Sequence, residues 1–276
     1  MGDPYESGRR VSFAVAGGQM AAAAFGAAAR PPDILFLHDA GLNALAYREM
    51  LAPLGARFHV VAVDLRGHGR TTLRSSLFSS WSRLSADIIE LMLAHFTNAP
   101  TLAGHGLGAA IALLVAGRRA DLARGVCAID PALDFAPARP PVIAGRFDTR
   151  EAAQSALSAH EYFASWPADM LADYAEDACQ LLRDGRFRLR SDAAHAVRAP
   201  RGRVWRALAQ APGPITILRP ERRGGFGDAA AKRAALLRPD ARIAIVEGAG
   251  AAAPFENLER VRAAIEAVAL AARGER

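Results

Sequence analysis

The sequence predicts an α/β fold, a mostly parallel β-sheet covered by helices on both faces, interrupted late in the chain by a helical insertion. Three observations carry this reading. Short β-branched or apolar runs alternate with stretches of helical periodicity. Several of the runs are apolar at every position, the pattern of a strand buried on both faces. One long segment, 134–212, holds helical patterns but no obvious core strand.

Taken in order, Val11 to Val15 and Gln19 to Phe25 flank Gly17-Gly18 and predict a β-hairpin. Pro31-Pro32 breaks the chain, and Ile34 to Leu37 is the next strand. Leu45 to Leu54 has helical spacing. Phe58 to Val63 is a continuous apolar strand, followed by a helix whose stripe runs through Leu84, Ile88, Leu91 and His95. Thr101 to Ala103 is a short strand that ends at a glycine cluster, with the helix Leu107 to Ala116 directly after it. Val126 to Ile129 is a strand. The insertion opens with Pro137, Pro140 and Pro141 and includes a helical pattern over Ser165 to Leu182. Beyond it, Ile215 to Leu218 and Ile243 to Val246 are strands, and Lys232 to Leu237 and Leu258 to Ala271 are helices.

Composition narrows the function classes. A chain of 276 residues suits one α/β domain with an insertion. With 51% hydrophobic and 22% charged residues it has enough apolar mass to fold, which excludes a disordered chain. No apolar run approaches the ~20 residues of a membrane span; the stretch from Ala109 to Ala116 is stopped by Arg118 and Arg119. The first ten residues lack the apolar core of a secretory signal, which points to the cytoplasm. The net charge of +6 is scattered along the chain, not gathered in a stripe, so no nucleic-acid partner is expected. Cys127 and Cys179 are too few for a disulfide framework, and Cys127 lies in an apolar strand. The histidines are dispersed, with no HExxH and no cysteine–histidine cluster, so the sequence calls for no metal and no cofactor.

Three segments, in order, resemble the α/β-hydrolase family. Phe36-Leu37-His38-Asp39-Ala40-Gly41 is similar to the loop that helps build the family's oxyanion hole. Val63-Asp64-Leu65-Arg66-Gly67-His68-Gly69-Arg70 resembles a frequent D-x-R-G-x-G stretch. Ala103-Gly104-His105-Gly106-Leu107-Gly108-Ala109 resembles the nucleophile elbow at a strand-to-helix junction. Near the end, Gly248-Ala249-Gly250-Ala251-Ala252-Ala253-Pro254 is similar to the loop that carries the family's histidine. The resemblance implies a sheet of about eight strands, with a hydrolase core in 1–133 and 213–276 and a helical cap in 134–212.

The departures from the family pattern bear on function. Gly106 stands at the nucleophile position and Ala251 at the histidine position, so neither group of an acyl-transfer site is present. Glu221 best matches the acid position, and Asp130 is the alternative. The resemblance therefore implies a hydrolase-like protein without serine-hydrolase activity. It would bind a partner or hold a small ligand under the cap, its carbonyl or carboxylate bound by backbone N–H groups at Leu107 and near Asp39 or Ala40. His38, Asp39, Ala40, Leu107, Tyr162 and Trp166 are the expected pocket residues. His105 is expected to be buried and to point away from the active-site face, and His68 to lie on a surface turn.

Other readings remain open. Asp39 under a cap could act as a general base in a lyase, isomerase or decarboxylase. Water activated by His160 or His195 could give residual hydrolysis. The same glycines, Gly104-x-Gly106-x-x-Ala109 with Asp130 at a later strand end, also fit a dinucleotide fingerprint, although that fingerprint belongs to a first βαβ unit.

Overall fold

The computed structural model describes residues 8–73, 80–133, 145–160, 162–164, 166–189, 202–222 and 224–275. Pro137, Pro140, Pro141 and His195 lie outside these residues.

The chain begins with the hairpin β1 (Arg9–Val15) and β2 (Gly18–Phe25), closed so that Val15 pairs with Gly18. β3 (Ile34–Leu37) follows, then a segment of broken helix. The single helix expected over Leu45 to Leu54 is instead a 3₁₀ turn, the short α1 (Arg48–Leu51) and a second 3₁₀ turn at Ala52–Ala56. Pro53 starts that last turn, where its missing N–H removes the hydrogen bond a longer helix would need. Next come β4 (Val60–Val63), α2 (Trp81–His95, capped by the Ser80 hydroxyl accepting from Arg83 N–H), β5 (Thr101–His105), α3 (Leu107–Arg118) and β6 (Gly125–Ile129).

Between β6 and the next core strand lie α4 (Arg150–Ser158), α5 (Ala168–Ala178), the hairpin strands β7 (Cys179–Leu181) and β8 (Phe187–Leu189), and α6 (Arg203–Gln210). The chain then returns through β9 (Ile215–Pro220), α7 (Asp228–Leu237), β10 (Arg242–Val246), α8 (Ala253–Glu256) and α9 (Leu258–Arg273).

One eight-stranded sheet runs in the order β1-β2-β4-β3-β5-β6-β9-β10. The hairpin joins it antiparallel through β2 and β4, and every pairing from β4 to β10 is parallel. Side chains alternate between its faces, as the two-residue repeat of a strand requires. Leu35, Leu37, Val61, Val63, Val126 and Ala128 join one core with α2, α3 and α6. Ile34, Phe36, Val60, Ala62, Cys127 and Ile129 join the other, with α1, α5 and α9. This two-sided burial is why those strands read as unbroken apolar runs.

The insertion departs from its expected form in two places. The helical pattern over Ser165 to Leu182 ends at Ala178, and the chain turns into β7, which pairs with β8. Asp184-Gly185, with Gly185 at φ 80°, closes that hairpin. α6, within the segment expected as insertion, packs on α3 and buries Val204, Trp205, Ala207 and Leu208 in the sheet core. Among the described residues no helix is long and apolar enough to cross a membrane.

Candidate active site

The site lies at the carboxyl ends of β3, β5, β6 and β10, where the loops of the parallel sheet meet. β5 turns into α3 at Gly106, whose φ is 51° and ψ −109°. A Cβ penalises that region, so a glycine adopts it at little cost. The turn aims the first N–H of α3, from Leu107, out of the helix. With no side chain, Gly106 cannot cap it.

Asp39, from the loop after β3, supplies the cap. Its Oδ1 accepts N–H hydrogen bonds from Leu107 and Ala40, both at 2.7 Å. Both N–H groups expected to hold an oxyanion thus donate to the chain's own carboxylate. The start of α3 favours an anion there. Asp39 also fills the space of the missing elbow side chain. A Cβ on Gly106 would meet Oδ1 at 2.1 Å and Cγ at 2.3 Å. Enclosure by protein raises the Asp39 carboxyl to about 6, against the opposing pull of the Leu107 and Ala40 N–H groups.

A hydrogen-bonded chain supports this arrangement from below. The Asp39 N–H donates to the Tyr47 hydroxyl at 3.2 Å, and that hydroxyl lies 2.9 Å from His105 Nδ1. His105 Nε2 lies 2.9 Å from the Ala251 carbonyl, which can only accept. The ring is therefore the Nε2–H tautomer, taking the Tyr47 proton on Nδ1. His105 is buried as expected, and burial lowers it to about 4 despite the nearby Asp130 charge, so it is neutral. Ala251 itself is half-buried in the loop after β10 and presents only a methyl group.

Both acid candidates hold loops. Asp130 has φ 43°, the one positive φ among described non-glycine residues. Its Oδ2 accepts from Gly225 N–H at 2.9 Å and its Oδ1 from Phe226 N–H at 2.7 Å, so it clasps the loop after β9. Burial raises its pKa. Glu221, exposed, accepts from Gly248 N–H at 2.8 Å and ties that loop to the one after β10.

One histidine expectation needs correction. His68 is fully buried, not a surface turn residue. Its Nε2 lies 2.9 Å from the Gly41 N–H, which it accepts, and its Nδ1 lies 3.0 Å from the Arg66 carbonyl. His38 is also fully buried. Nε2 accepts from Leu65 N–H at 2.9 Å and Nδ1 donates to the Asp39 carbonyl at 2.7 Å. The two rings sit 5.0 Å apart and sew the loop after β3 to the loop after β4. Asp64 completes the seam by accepting from Ala44 and Arg70 N–H groups. Arg66 makes a two-bond ion pair with buried Asp87 of α2.

Aromatic side chains cover the site. Trp166 stacks on Phe255 at 3.7 Å and 17°, Tyr162 lies 6.1 Å from Trp166, and Phe255 lies 4.9 Å from Tyr47. The phenols of Tyr47 and Tyr162 are pushed well above their ordinary value, by enclosure first and then by the Asp39 charge. α5 docks beside them. The Tyr174 hydroxyl donates to the Gly41 carbonyl, the Asn43 amide donates to the Tyr174 carbonyl, and Arg48 pairs with Asp173. Tyr47 and Phe255 are site residues that sequence reasoning missed. Tyr47 and Phe255 carry no local signal that separates them from ordinary core aromatics. His160 uses Nδ1 to accept from Tyr162 N–H. Among the described residues no group of His, Cys, Asp and Glu could hold a metal ion.

The dinucleotide alternative has lost its anion site, since Asp39 already caps α3 and would repel a pyrophosphate. Asp130, which would have met the ribose, is committed to Gly225 and Phe226.

A family model described as "Alpha/beta hydrolase family" matches residues 34–264. A 2-(acetamidomethylene)succinate hydrolase of Mesorhizobium japonicum is 30% identical over 227 residues, covering 79% of this chain and 81% of that protein. The crystal structure of E-2-(acetamidomethylene)succinate hydrolase superposes with a TM-score of 0.80 at 25% identity, over 95% of this chain and 98% of the other. The thioesterase domain from the curacin biosynthetic pathway gives a TM-score of 0.79 at 18% identity, over 94% and 99% of the two chains, a likeness of fold alone.

Proposed function

The chain belongs to the alpha/beta hydrolase family, and from that premise we propose that it is a member that has given up acyl transfer and binds a small ligand, or a group on a partner, beneath the insertion. One observation carries the reading: the Asp39 carboxylate occupies both oxyanion donors and the volume of the missing nucleophile. Serine-type hydrolysis needs a nucleophile, a base to take its proton and donors for the developing oxyanion. Gly106 removes the first and Ala251 the second. His105 does not replace the base, because its accepting nitrogen already takes the Tyr47 proton. Asp39 removes the third. A carbonyl or carboxylate ligand would have to evict Asp39 before it could use the donors of Leu107 and Ala40.

Asp39 also supports a second reading, a non-covalent lyase, isomerase or decarboxylase, because a carboxyl raised to about 6 is suited to take a proton near neutral pH. That chemistry needs the hole for the substrate's oxyanion while the base itself sits in it, which makes it the weaker reading. Turnover of this kind would vanish in Asp39→Asn.

The test is hydrolysis of short-chain p-nitrophenyl esters by three proteins. The protein itself and Gly106→Ser/Ala251→His are expected to be inactive, the second because the new serine meets Asp39. Adding Asp39→Ala to that pair is expected to open the hole and yield measurable turnover. Turnover by the unsubstituted protein that co-purifies with it would overturn the reading.

A further inference from the structure

We propose that a cavity at the amino ends of β3, β5 and β6 is a second binding site, which takes the dianion of a small phosphate monoester through the guanidinium of Arg124 and the hydroxyl of Thr101. It lies at the opposite end of the sheet from Asp39, and it does not depend on the reading given above.

Placement is the first argument. The cavity has a volume of about 220 Å³ and is bounded by the last turns of α9 at Ala269, Ala272 and Arg273. The strand ends beneath are fixed side by side. The Thr101 N–H donates to the Asp33 carbonyl at 2.8 Å, and the Arg124 N–H donates to the Pro100 carbonyl at 3.0 Å. Thr101 pairs with Ile34 on one side and Gly125 on the other. Its side chain shares a sheet face with Ala103, which joins the core that contains α9, so it points to the α9 side.

Charge is the second. Arg30, Arg124 and Arg273 line the cavity against one carboxylate, Asp33. Asp33 is already committed, with Oδ1 2.5 Å from Arg273 Nη2 and Oδ2 accepting from the His59 N–H at 2.8 Å. Arg273 also faces Glu275 at 3.8 Å and lies over the Phe58 ring at 4.8 Å. Arg30 lies 3.8 Å from Asp33 and donates to the Arg57 carbonyl at 3.2 Å. Arg124 has no ion pair and no side-chain hydrogen bond among the described residues. The end of α9 is a negative pole, but Gly274 and Glu275 N–H groups cap its last carbonyls and Arg273 sits in its last turn.

The third is a pair of unmet donors. Thr101 is only 2% exposed, and its hydroxyl has no partner among the described residues. Buried polar groups ordinarily find one. A phosphate group offers three acceptor oxygens, enough for that hydroxyl and for a two-bond match to the Arg124 fork. The volume is below the ~300–1,000 Å³ of sites for drug-sized ligands, which limits the ligand to a phosphate on a few carbon atoms.

Glycerol 3-phosphate and glycerol test this by titration calorimetry at fixed ionic strength, because they share the carbon body and differ in the phosphate. Glycerol 3-phosphate is expected to bind and glycerol to give no signal. Arg124→Gln, at an exposed side chain that holds nothing in place, is expected to weaken binding about tenfold. Thr101→Val keeps the shape, removes the hydroxyl, and is expected to weaken it about threefold. Arg183→Gln removes the same charge from the turn between β7 and β8, and is expected to change affinity by less than about twofold. No binding of glycerol 3-phosphate at millimolar concentration, a loss in Arg124→Gln no larger than in Arg183→Gln, or full affinity in Thr101→Val would overturn the inference.

Discussion

Gly106 and Asp39 compete for one volume, and a double-mutant cycle measures the competition. A Cβ at residue 106 would lie 2.1 Å from Asp39 Oδ1, far inside van der Waals contact. In Gly106→Ala the methyl group therefore carries two costs. The first is backbone strain at φ 51°, about 1–3 kcal/mol. The second depends on what Asp39 does. Forced to share the space, it overpacks the site at about 1–3 kcal/mol. Evicted, it forfeits two hydrogen bonds to a charged group at about 1.5–3 kcal/mol each, offset in part by rehydration of the carboxylate. Either route adds about 2 kcal/mol beyond the strain. In an Asp39→Ala background the clash is gone and only strain remains. The expected coupling between the two substitutions is thus about 2 kcal/mol, inside the range for residues in contact. Urea unfolding of the four proteins at pH 8 reads it directly. Costs that add to within about 0.5 kcal/mol would show that the carboxylate does not occupy the elbow's volume, and the account of the filled hole would fail with them.

The raised pKa of Asp39 has a consequence for stability. Its folded value, about 6, lies above that of an unfolded carboxyl, so the native state holds the proton longer and stability falls as pH rises from about 4 to about 6, by up to roughly 3 kcal/mol. Asp39→Asn is expected to gain on the parent protein across that window, and a gap independent of pH would contradict it. His105 acts in the opposite sense. Lowered to about 4, it refuses a proton that the unfolded chain accepts, so stability is lost as pH falls from about 6.5 towards 4, and His105→Gln should flatten that limb of the unfolding profile. Asp130 sits at φ 43° and clasps Gly225 and Phe226. Both Asp130→Ala and Asp130→Gly lose the clasp, but glycine escapes the strain, so the glycine variant is expected to be the more stable by about 1 kcal/mol; the reverse order in urea would refute a strained backbone there.

Local chemistry made much of the fold readable. Ile34 to Leu37, Val60 to Val63 and Val126 to Ile129 are apolar throughout because each is buried on both faces, and burial on both faces is the mark of a central parallel strand. The hairpin β7–β8 carries a local turn signal in Asp184-Gly185, just beyond a stretch whose spacing reads as helical. α6 carries the apolar stripe of any amphipathic helix, and nothing in that stripe says whether it packs on α3 or belongs to the insertion. His68 lies in a polar, glycine-rich loop, so its burial depends on a partner, Gly41, from another strand's loop.

The site divides along the same line. That Gly106 cannot attack and Ala251 cannot take a proton follows from residue identity and spacing, and the sequence alone determined it. What stands in their place was decided in three dimensions. Asp39 is 68 residues from Leu107, and it reaches that N–H because β3 and β5 are neighbours in the sheet although β4 lies between them in the chain. The missing Cβ of Gly106 leaves room for the carboxylate, which accepts one hydrogen bond from the start of α3 at Leu107 and one from Ala40 in its own loop. The identity of a residue can be read one position at a time. The contact between Asp39 and the first N–H of α3 exists only where the loop after β3 meets the end of β5.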